Sequence, residues 1–169
     1  MKIIKWKIGD IPPSIEGQLA VAIGNFDGIH KGHVKLLNEC KSQGKESNLA
    51  FGVVTFDPHP RDFFNPKNPS FKLLDHEEKE RLLSKLGVEF LIIIEFNEQL
   101  KNCNAEQFLS QILKQNFNIV KMFAGSNFKF GKNREGSIEN TSSFANTLGL
   151  QLVSIDLKQF SSLTKKEYE

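Results

Sequence analysis

Two histidines one helical turn apart, His30 and His33, are the residues of this 169-residue chain most suited to chemistry. They lie in His30-Lys31-Gly32-His33, directly after an apolar run and a glycine-rich turn, and they open a pattern typical of a helix. Both imidazoles would share one face of that helix. Unpaired N–H groups and the helix dipole attract anions at such a terminus. Two donors placed there would stabilise the charge on a phosphoryl group during its transfer.

Two other interpretations of the histidine pair remain open from the residues alone. A zinc site would need a third ligand, and the chain has no His-Glu-x-x-His pattern. The pair would otherwise only cap the helix. We expect the glycines at 24, 28 and 32 to permit positive φ and close approach of the main chain to a ligand. Their spacing fits neither the dinucleotide-binding fingerprint nor the phosphate loop of NTPases.

The elements that must position this turn alternate between strands and helices. Apolar runs predict an edge strand at 2–8 and core strands at about 19–24, 49–55, 88–96, 118–124 and 150–155. Helices are predicted from His30 to about Ser42, where the helix stops near Gly44, and over 73–86, 104–116 and 137–148. We therefore predict one α/β domain with a five-stranded, mostly parallel sheet and helices on both faces.

Three loops with unusual sequences, 24–33, 55–71 and 125–136, each follow a predicted strand. The carboxyl ends of parallel strands share one edge of a sheet, so we expect these loops to form a single site. The segment 56–74 contains four of the six prolines, and we predict that it is irregular and functional.

Composition limits the classes of function. A net charge of +2 is too small to favour nucleic-acid binding, and no apolar run is long enough for a membrane span or a signal peptide. Cys40 and Cys103 have neither metal-like spacing nor the pattern of a disulfide framework. We expect a cytoplasmic protein with small-molecule partners and no nucleic-acid or membrane partner.

The motif Gly24-x-Phe26-Asp27-Gly28-x-His30-x-Gly32-His33 resembles the HxGH nucleotidyltransferase signature, in the form found in bacterial bifunctional riboflavin kinase/FAD synthetases. The match to that family covers roughly residues 18–155. Three further stretches match it in the same order: Thr55-Phe-Asp-Pro-His-Pro60, Lys72-Leu-Leu-x-x-x-Glu78-Lys79 followed by Leu-Gly-Val88, and Gly125-Ser-Asn-Phe-Lys-Phe-Gly131 with Arg134 and Gly136. The resemblance implies a Rossmann-like nucleotidyltransferase fold and an FMN adenylyltransferase. In that reaction the FMN phosphate attacks the α-phosphorus of ATP and gives FAD and pyrophosphate, with Mg²⁺.

The resemblance also implies roles for the matching residues. His30 and His33 are the expected catalytic pair at the ATP phosphates. The other expected ATP-binding residues are Gly24, Asn25, Phe26, Asp27, Gly32, Asn127 and Arg134. The expected flavin-binding residues are Phe56, Asp57, His59, Pro60 and Phe128. Asp27 is also the candidate Mg²⁺ ligand, with capping of the following helix as the alternative. For Phe56 the alternative is packing in the core, and Phe130 is expected to anchor its loop.

One family motif has no match. The second nucleotide motif, Ser-Ser-Thr-Arg-Ile-Arg, would begin about where the chain ends, and no arginine follows Ser161-Ser162-Leu163-Thr164. We also expect no riboflavin kinase domain, and hence no kinase activity, in this chain. We therefore expect a fragment or a natural short form that adenylylates FMN weakly or not at all. The alternatives are a nucleotide- or flavin-binding module without catalysis and another HxGH adenylyl- or cytidylyltransferase.

Overall fold

A computed structural model of the chain describes residues 1–67 and 75–157. The strands are β1 Lys2–Trp6, β2 Leu19–Ile23, β3 Ala50–Asp57, β4 Phe90–Glu95, β5 Ile119–Gly125 and β6 Gln151–Ile155. The helices are α1 Lys31–Glu46, α2 Pro60–Phe64, α3 His76–Lys85, α4 Glu98–Lys101, α5 Ala105–Gln107 and α6 Ile138–Thr147. A π-helix, Phe108–Asn116, continues α5, and a 3₁₀ turn spans Lys132–Arg134.

The strands form one sheet in the order β1-β4-β3-β2-β5-β6, and every neighbouring pair is parallel. This confirms the predicted α/β class with a parallel sheet. The predicted number of five strands is wrong, because β1 joins the sheet as a sixth strand. Its residues pair with β4 from Lys2–Phe90 to Trp6–Ile94.

Strand β2 lies near the middle of the sheet, and all five of its residues are buried. Leu19, Val21 and Ile23 belong to the core on one face, and Ala20 and Ala22 belong to the core on the other. Alternate residues of a strand point to opposite faces. A strand that is covered on both faces therefore has an uninterrupted apolar sequence, and this run of residues is what predicts β2 from the sequence.

Helix α1 packs closely on this strand, and Gly44 explains how. The helix continues through Gly44 to Glu46, so the predicted stop near Gly44 is wrong. A Cβ on Gly44 would lie 3.1 Å from the Cβ of Ala20. The glycine is therefore a point of close helix–strand contact rather than a terminator.

The segment after β3 is less irregular than the sequence predicted. Helix α2 forms at Pro60–Phe64, with His59 as its N-cap and proline in its first turn, a position that proline favours. The prediction of an irregular segment is therefore wrong for residues 60–64, and also for residues 56–57, which belong to β3. Residues 68–74, which include the predicted start of the helix at 73, lie outside the described residues, and α3 begins at His76.

Helix ends elsewhere follow the sequence signals. Asn104 and Gln107 form the predicted reciprocal capping box at the start of α5, and Ser137 caps α6. Gly149 has a φ of 75° just after α6, as expected for a glycine at a helix C-terminus.

Candidate active site

The three predicted loops leave the sheet at one edge. They follow β2, β3 and β5, which are adjacent and parallel strands in the centre of the sheet. Two cavities open at this edge, of about 540 Å³ and about 180 Å³. Phe26 and His33 line both cavities, so these two side chains form the wall between them.

The two histidines cap α1 with their δ nitrogens. The Nδ1 atom of His30 accepts a hydrogen bond from the Gly32 N–H at 3.1 Å, and the Nδ1 atom of His33 accepts one from the His30 N–H at 3.5 Å. The rings stack with their centroids 3.9 Å apart. A δ nitrogen that accepts carries no proton, so this network assigns the proton of each neutral ring to Nε2. Both side chains therefore cap the helix, and this leaves the ε N–H of His30 as a donor, whereas His33 also has a hydrogen bond to the Gly28 backbone.

Burial disfavours the charged form of both imidazoles. Burial lowers the pKa of His30 below its ordinary value. Burial and the nearby His30 lower the pKa of His33 from 6.5 to about 4, against the opposing effects of a hydrogen bond to the Gly28 backbone and of the Asp27 carboxylate. The neutral ring, which donates a hydrogen bond without carrying positive charge, is therefore favoured at both residues and most strongly at His33.

The turn before the histidines presents main-chain donors. Within residues 1–67 and 75–157, the N–H groups of residues 26–29 have no hydrogen-bond acceptor. Successive unpaired N–H groups beside a helix N-terminus form a concave site for an anion. Residues 25–30 line the larger cavity, so these donors border open space.

The expected role of the glycines in this turn needs correction. None of the residues 24, 28 and 32 has a positive φ, whereas Phe26 lies in the left-handed region with a φ of 49°. Gly32 matters for space instead, since a Cβ there would lie 2.9 Å from Cε1 of His30 and 3.0 Å from the Leu157 carbonyl oxygen. The missing side chain at Gly32 therefore leaves room for the capping ring of His30 and for the main chain after β6.

Asp27 and His59 join the first two loops. The Nε2 atom of His59 lies 3.1 Å from Oδ2 of Asp27, and its Nδ1 atom accepts a hydrogen bond from the Arg61 N–H at 2.9 Å. His59 thus caps α2 with one nitrogen and holds Asp27 with the other. The alternative in which Asp27 caps α1 is wrong, because His30 is the N-cap of that helix.

The smaller cavity lies between the first and third loops. Asn127 and Phe128 line it together with Gly24 and His33, and Leu157 closes another side. Phe128 stacks on Phe130 with ring centroids 5.7 Å apart. Phe130 is buried and pairs with Gly136 in a short antiparallel bridge, which confirms its expected role as the anchor of the loop.

Five predicted residues line neither of these cavities: Gly32, Phe56, Asp57, Pro60 and Arg134. Phe56 and Asp57 line a separate small cavity instead. The Phe56 ring packs against Phe96 and Phe108, which is the alternative stated for it from the sequence. Arg134 is exposed at a left-handed position with a φ of 54°.

Asn25 lines the larger cavity, and its Oδ1 atom is buried with no hydrogen-bond partner in the described part of the chain.

Sequence reasoning missed several residues of the site. Leu157 and Leu82 line the cavities, but isolated leucines give no signal of such a role. Thr55 and Lys79 donate hydrogen bonds to the Asn25 carbonyl. Both lie in stretches that match the family motifs, so those stretches were the signal that could have found them.

The donor set suits Mg²⁺ only as part of a nucleotide complex. Across the described ranges, no group of three His, Cys, Asp or Glu side chains is placed to hold a metal. Mg²⁺ is commonly bound by one or two carboxylates and completed by substrate phosphates and water. Asp27 supplies one carboxylate beside the anion site, which fits that mode.

No helix among the described residues is both long and apolar enough to cross a membrane.

Comparisons with known proteins agree with this geometry. The chain is 36% identical over 124 residues to a bifunctional riboflavin kinase/FMN adenylyltransferase from Buchnera aphidicola subsp. Schizaphis graminum, covering 73% of this chain and 40% of the relative. It is 31% identical over 136 residues to the protein of that name from Escherichia coli K12, covering 80% of this chain and 43% of the relative. The chain thus spans about two fifths of the length of these curated relatives.

A solved structure has the same fold. The crystal structure of a macrolide-efflux protein from Streptococcus pneumoniae superposes with a TM-score of 0.77 and 28% identity, covering 92% of this chain and 52% of that one. The family model for FAD synthetase matches residues 13–165, which include all three loops, both histidines and both cavities. The chain therefore belongs to the FAD synthetase family.

Proposed function

We propose that this chain is an FMN adenylyltransferase domain, which transfers AMP from ATP to FMN. The observation that carries the proposal is the anion site at the start of α1, which lies between two cavities that share Phe26 and His33 as a wall. In a reaction between two phosphorylated substrates, two anions must meet at one point. An anion site with a cavity on each side suits this requirement. The named activity of the curated relatives supports it.

The proposed reaction is a single displacement. An oxygen of the FMN phosphate attacks the α-phosphorus of ATP, the bond from that phosphorus to the bridging oxygen breaks, and pyrophosphate leaves with the bonding electrons. The attacking phosphate is already an anion, so no general base is required. Catalysis then rests on alignment of the two substrates and on stabilisation of the charge at the α-phosphate. The N–H groups of residues 26–29 and the ε N–H of His30 would supply it, and the ε N–H of His33 would join them by exchanging its bond to the Gly28 backbone for one to the phosphate.

The assignment of individual contacts is part of the proposal. We assign the ATP phosphates to the turn at residues 24–33 and a hydrogen bond from the nucleotide to Asn127. The flavin would stack on Phe128, whose ring borders the smaller cavity. Asp27 would hold Mg²⁺ together with the nucleotide phosphates, and the ion would neutralise phosphate charge when bound. Arg134 and the flavin roles of Phe56, Asp57, His59 and Pro60 remain proposals on family resemblance.

We further propose that residues 1–169 turn over slowly. No lysine or arginine of the described ranges lines either cavity, and burial lowers the pKa of both histidines, which disfavours a positive charge on them. Charged groups supply much of the catalysis in phosphoryl transfer. The same observation favours the second candidate function, a module that binds nucleotide and flavin without catalysis.

The domain and compartment are proposals too. All six strands belong to one sheet, which supports a single domain. Both cysteines are free, which supports a reducing compartment such as the cytoplasm.

The test uses the purified chain with ATP, FMN and Mg²⁺. Calorimetry measures binding of each substrate, and chromatography with a pyrophosphate assay measures turnover. Binding of both substrates with slow formation of FAD and pyrophosphate in equal amounts supports the adenylyltransferase. Binding without any FAD supports the binding module instead. Turnover of CTP, or of a different phosphorylated acceptor in place of FMN, would indicate another HxGH adenylyl- or cytidylyltransferase instead. Binding of neither ATP nor FMN would refute both the adenylyltransferase and the binding module.

A further inference from the structure

The carbonyl oxygen of Asn25 accepts two hydrogen bonds, and both donors come from outside the glycine-rich turn. Oγ1 of Thr55 and Nζ of Lys79 each lie 3.1 Å from this oxygen. A carbonyl oxygen has two lone pairs, so the two bonds use both of them. Thr55 is only 4% exposed near the end of β3, and Lys79 reaches across from α3. The peptide group between Asn25 and Phe26 is therefore fixed from two different elements.

Fixing this carbonyl also fixes an N–H group of the anion site. In a trans peptide the C=O and the following N–H point in opposite directions. That N–H belongs to Phe26, the first of the main-chain donors that find no acceptor in the described ranges. Asn25 and Phe26 line the larger cavity, whereas Thr55 and Lys79 line a separate small cavity. The carbonyl therefore points towards Thr55 and Lys79 beside the small cavity, and the Phe26 N–H points in the opposite direction, away from them.

The ammonium group adds an electrostatic effect. Hydrogen bonds with a charged donor are roughly twice as strong as neutral ones. A positive charge at the Asn25 oxygen also polarises the peptide, which makes the Phe26 N–H a stronger donor. Lys79 lines neither cavity of the site, although Leu82 of the same helix does. Its effect on a bound phosphate would thus pass through the peptide group.

We infer that Lys79 is a positioning residue of the proposed adenylyltransferase: with Thr55, it orients the Asn25–Phe26 peptide so that the Phe26 N–H binds a nucleotide phosphate. The inference rests on the proposed function for the identity of the anion. It does not rest on that function for the orientation of the peptide.

The test compares Lys79→Met, Lys79→Arg and Thr55→Val with Lys85→Met as the matched control. Lys85 is exposed and lies on the same helix. In the ligand-free chain, the ¹⁵N resonance of Phe26 reports hydrogen bonding at the preceding carbonyl. Lys79→Met should move this resonance from its wild-type position. Lys79→Arg should return it most of the way to that position, and Lys85→Met should leave it unchanged. Thr55→Val should move the same resonance, because it removes the other bond.

Calorimetry then measures the consequence for binding. We expect Lys79→Met to raise the Kd for ATP by about tenfold, as for the loss of one hydrogen bond to a charged group. The Kd for FMN should stay within about twofold, since the affected donor serves the ATP phosphates. Lys79→Arg should recover most of the ATP affinity.

Three results would overturn the inference. A Phe26 resonance in Lys79→Met that matches the control would show that the peptide is not held by Lys79. Equal weakening of ATP and FMN would show a general structural role, and an unchanged Kd for ATP would show that the orientation is irrelevant to binding. If the wild-type chain binds no ATP, the proposed function fails, while the resonance of Phe26 still decides whether Lys79 holds the peptide.

Discussion

Burial of His33 makes the stability of the chain depend on pH in a defined direction. The folded chain keeps this imidazole neutral down to its pKa of about 4, whereas the unfolded chain protonates it near 6.5. Between these values the unfolded state binds more protons. The free energy of unfolding must therefore fall as the pH falls from about 7 towards 4, and the stabilisation is fully present only above 6.5.

The size of the effect follows from the two pKa values. Each unit of difference is worth about 1.4 kcal/mol, so a change from 6.5 to about 4 costs about 2 kcal/mol at pH 5 and about 3 kcal/mol at pH 4, relative to pH 8. Carboxylates also titrate in this range, but their contribution is common to the wild type and a His33 variant. The difference between the two proteins therefore reports His33 together with its interactions with His30 and Asp27.

The assay is urea unfolding at several pH values between 4.5 and 8, with the wild type and His33→Gln. The stability of the wild type relative to the variant should decline by about 2 kcal/mol between pH 8 and pH 5. His76→Gln, at an exposed histidine of α3, is the matched control and should track the wild type. A difference between wild type and His33→Gln that is independent of pH, or that grows as the pH falls, would refute the neutral, buried imidazole.

Three further substitutions test other parts of the site. Gly32→Ala places a Cβ 2.9 Å from the His30 ring, so the cap should be lost at a cost of about 1 kcal/mol in urea unfolding, and an equally stable variant would contradict the steric role of this glycine. Asp27→Asn removes the carboxylate charge while leaving an acceptor for His59, so the gain in ATP affinity on adding Mg²⁺ should shrink about tenfold in calorimetry, and an undiminished gain would count against Asp27 as the ligand. Phe128→Ala should raise the Kd for FMN by about tenfold through lost stacking and leave the Kd for ATP unchanged, whereas equal effects on both would remove Phe128 from the flavin site.

Much of the fold follows from the sequence because the central strands are covered on both faces. Their apolar runs alternate with helical patterns, which predicts a parallel sheet. Helix α2 gave no such signal: it has five residues, buries none of them, and depends on the His59 cap. Strand β1 was predicted as an edge strand and does lie at one edge of the sheet, but its partner there is β4, 88 residues away at Lys2–Phe90. Local patterns do not specify such pairing.

The position of the site was predictable for a similar reason. Loops after parallel strands meet at one edge whatever their details, so three unusual loops predicted one site. The backbone inside the turn was not predictable. Glycine is the usual residue at positive φ, yet Phe26 takes that conformation and its ring is buried against His33 at 5.2 Å between centroids. The tertiary packing of one side chain outweighed the local preference.

From the sequence, helix capping and phosphate binding are alternative roles for the two histidines. The geometry allows one ring to do both. Each imidazole has two nitrogens, and the cap uses only Nδ1 of His30 and of His33. An accepting Nδ1 requires the proton on Nε2, and burial disfavours the second proton. The cap therefore fixes the ring orientation and the tautomer before any substrate arrives. Donors fixed in this way need little reorganisation when charge develops on a phosphate, so the bonds that stabilise the helix also prepare the site.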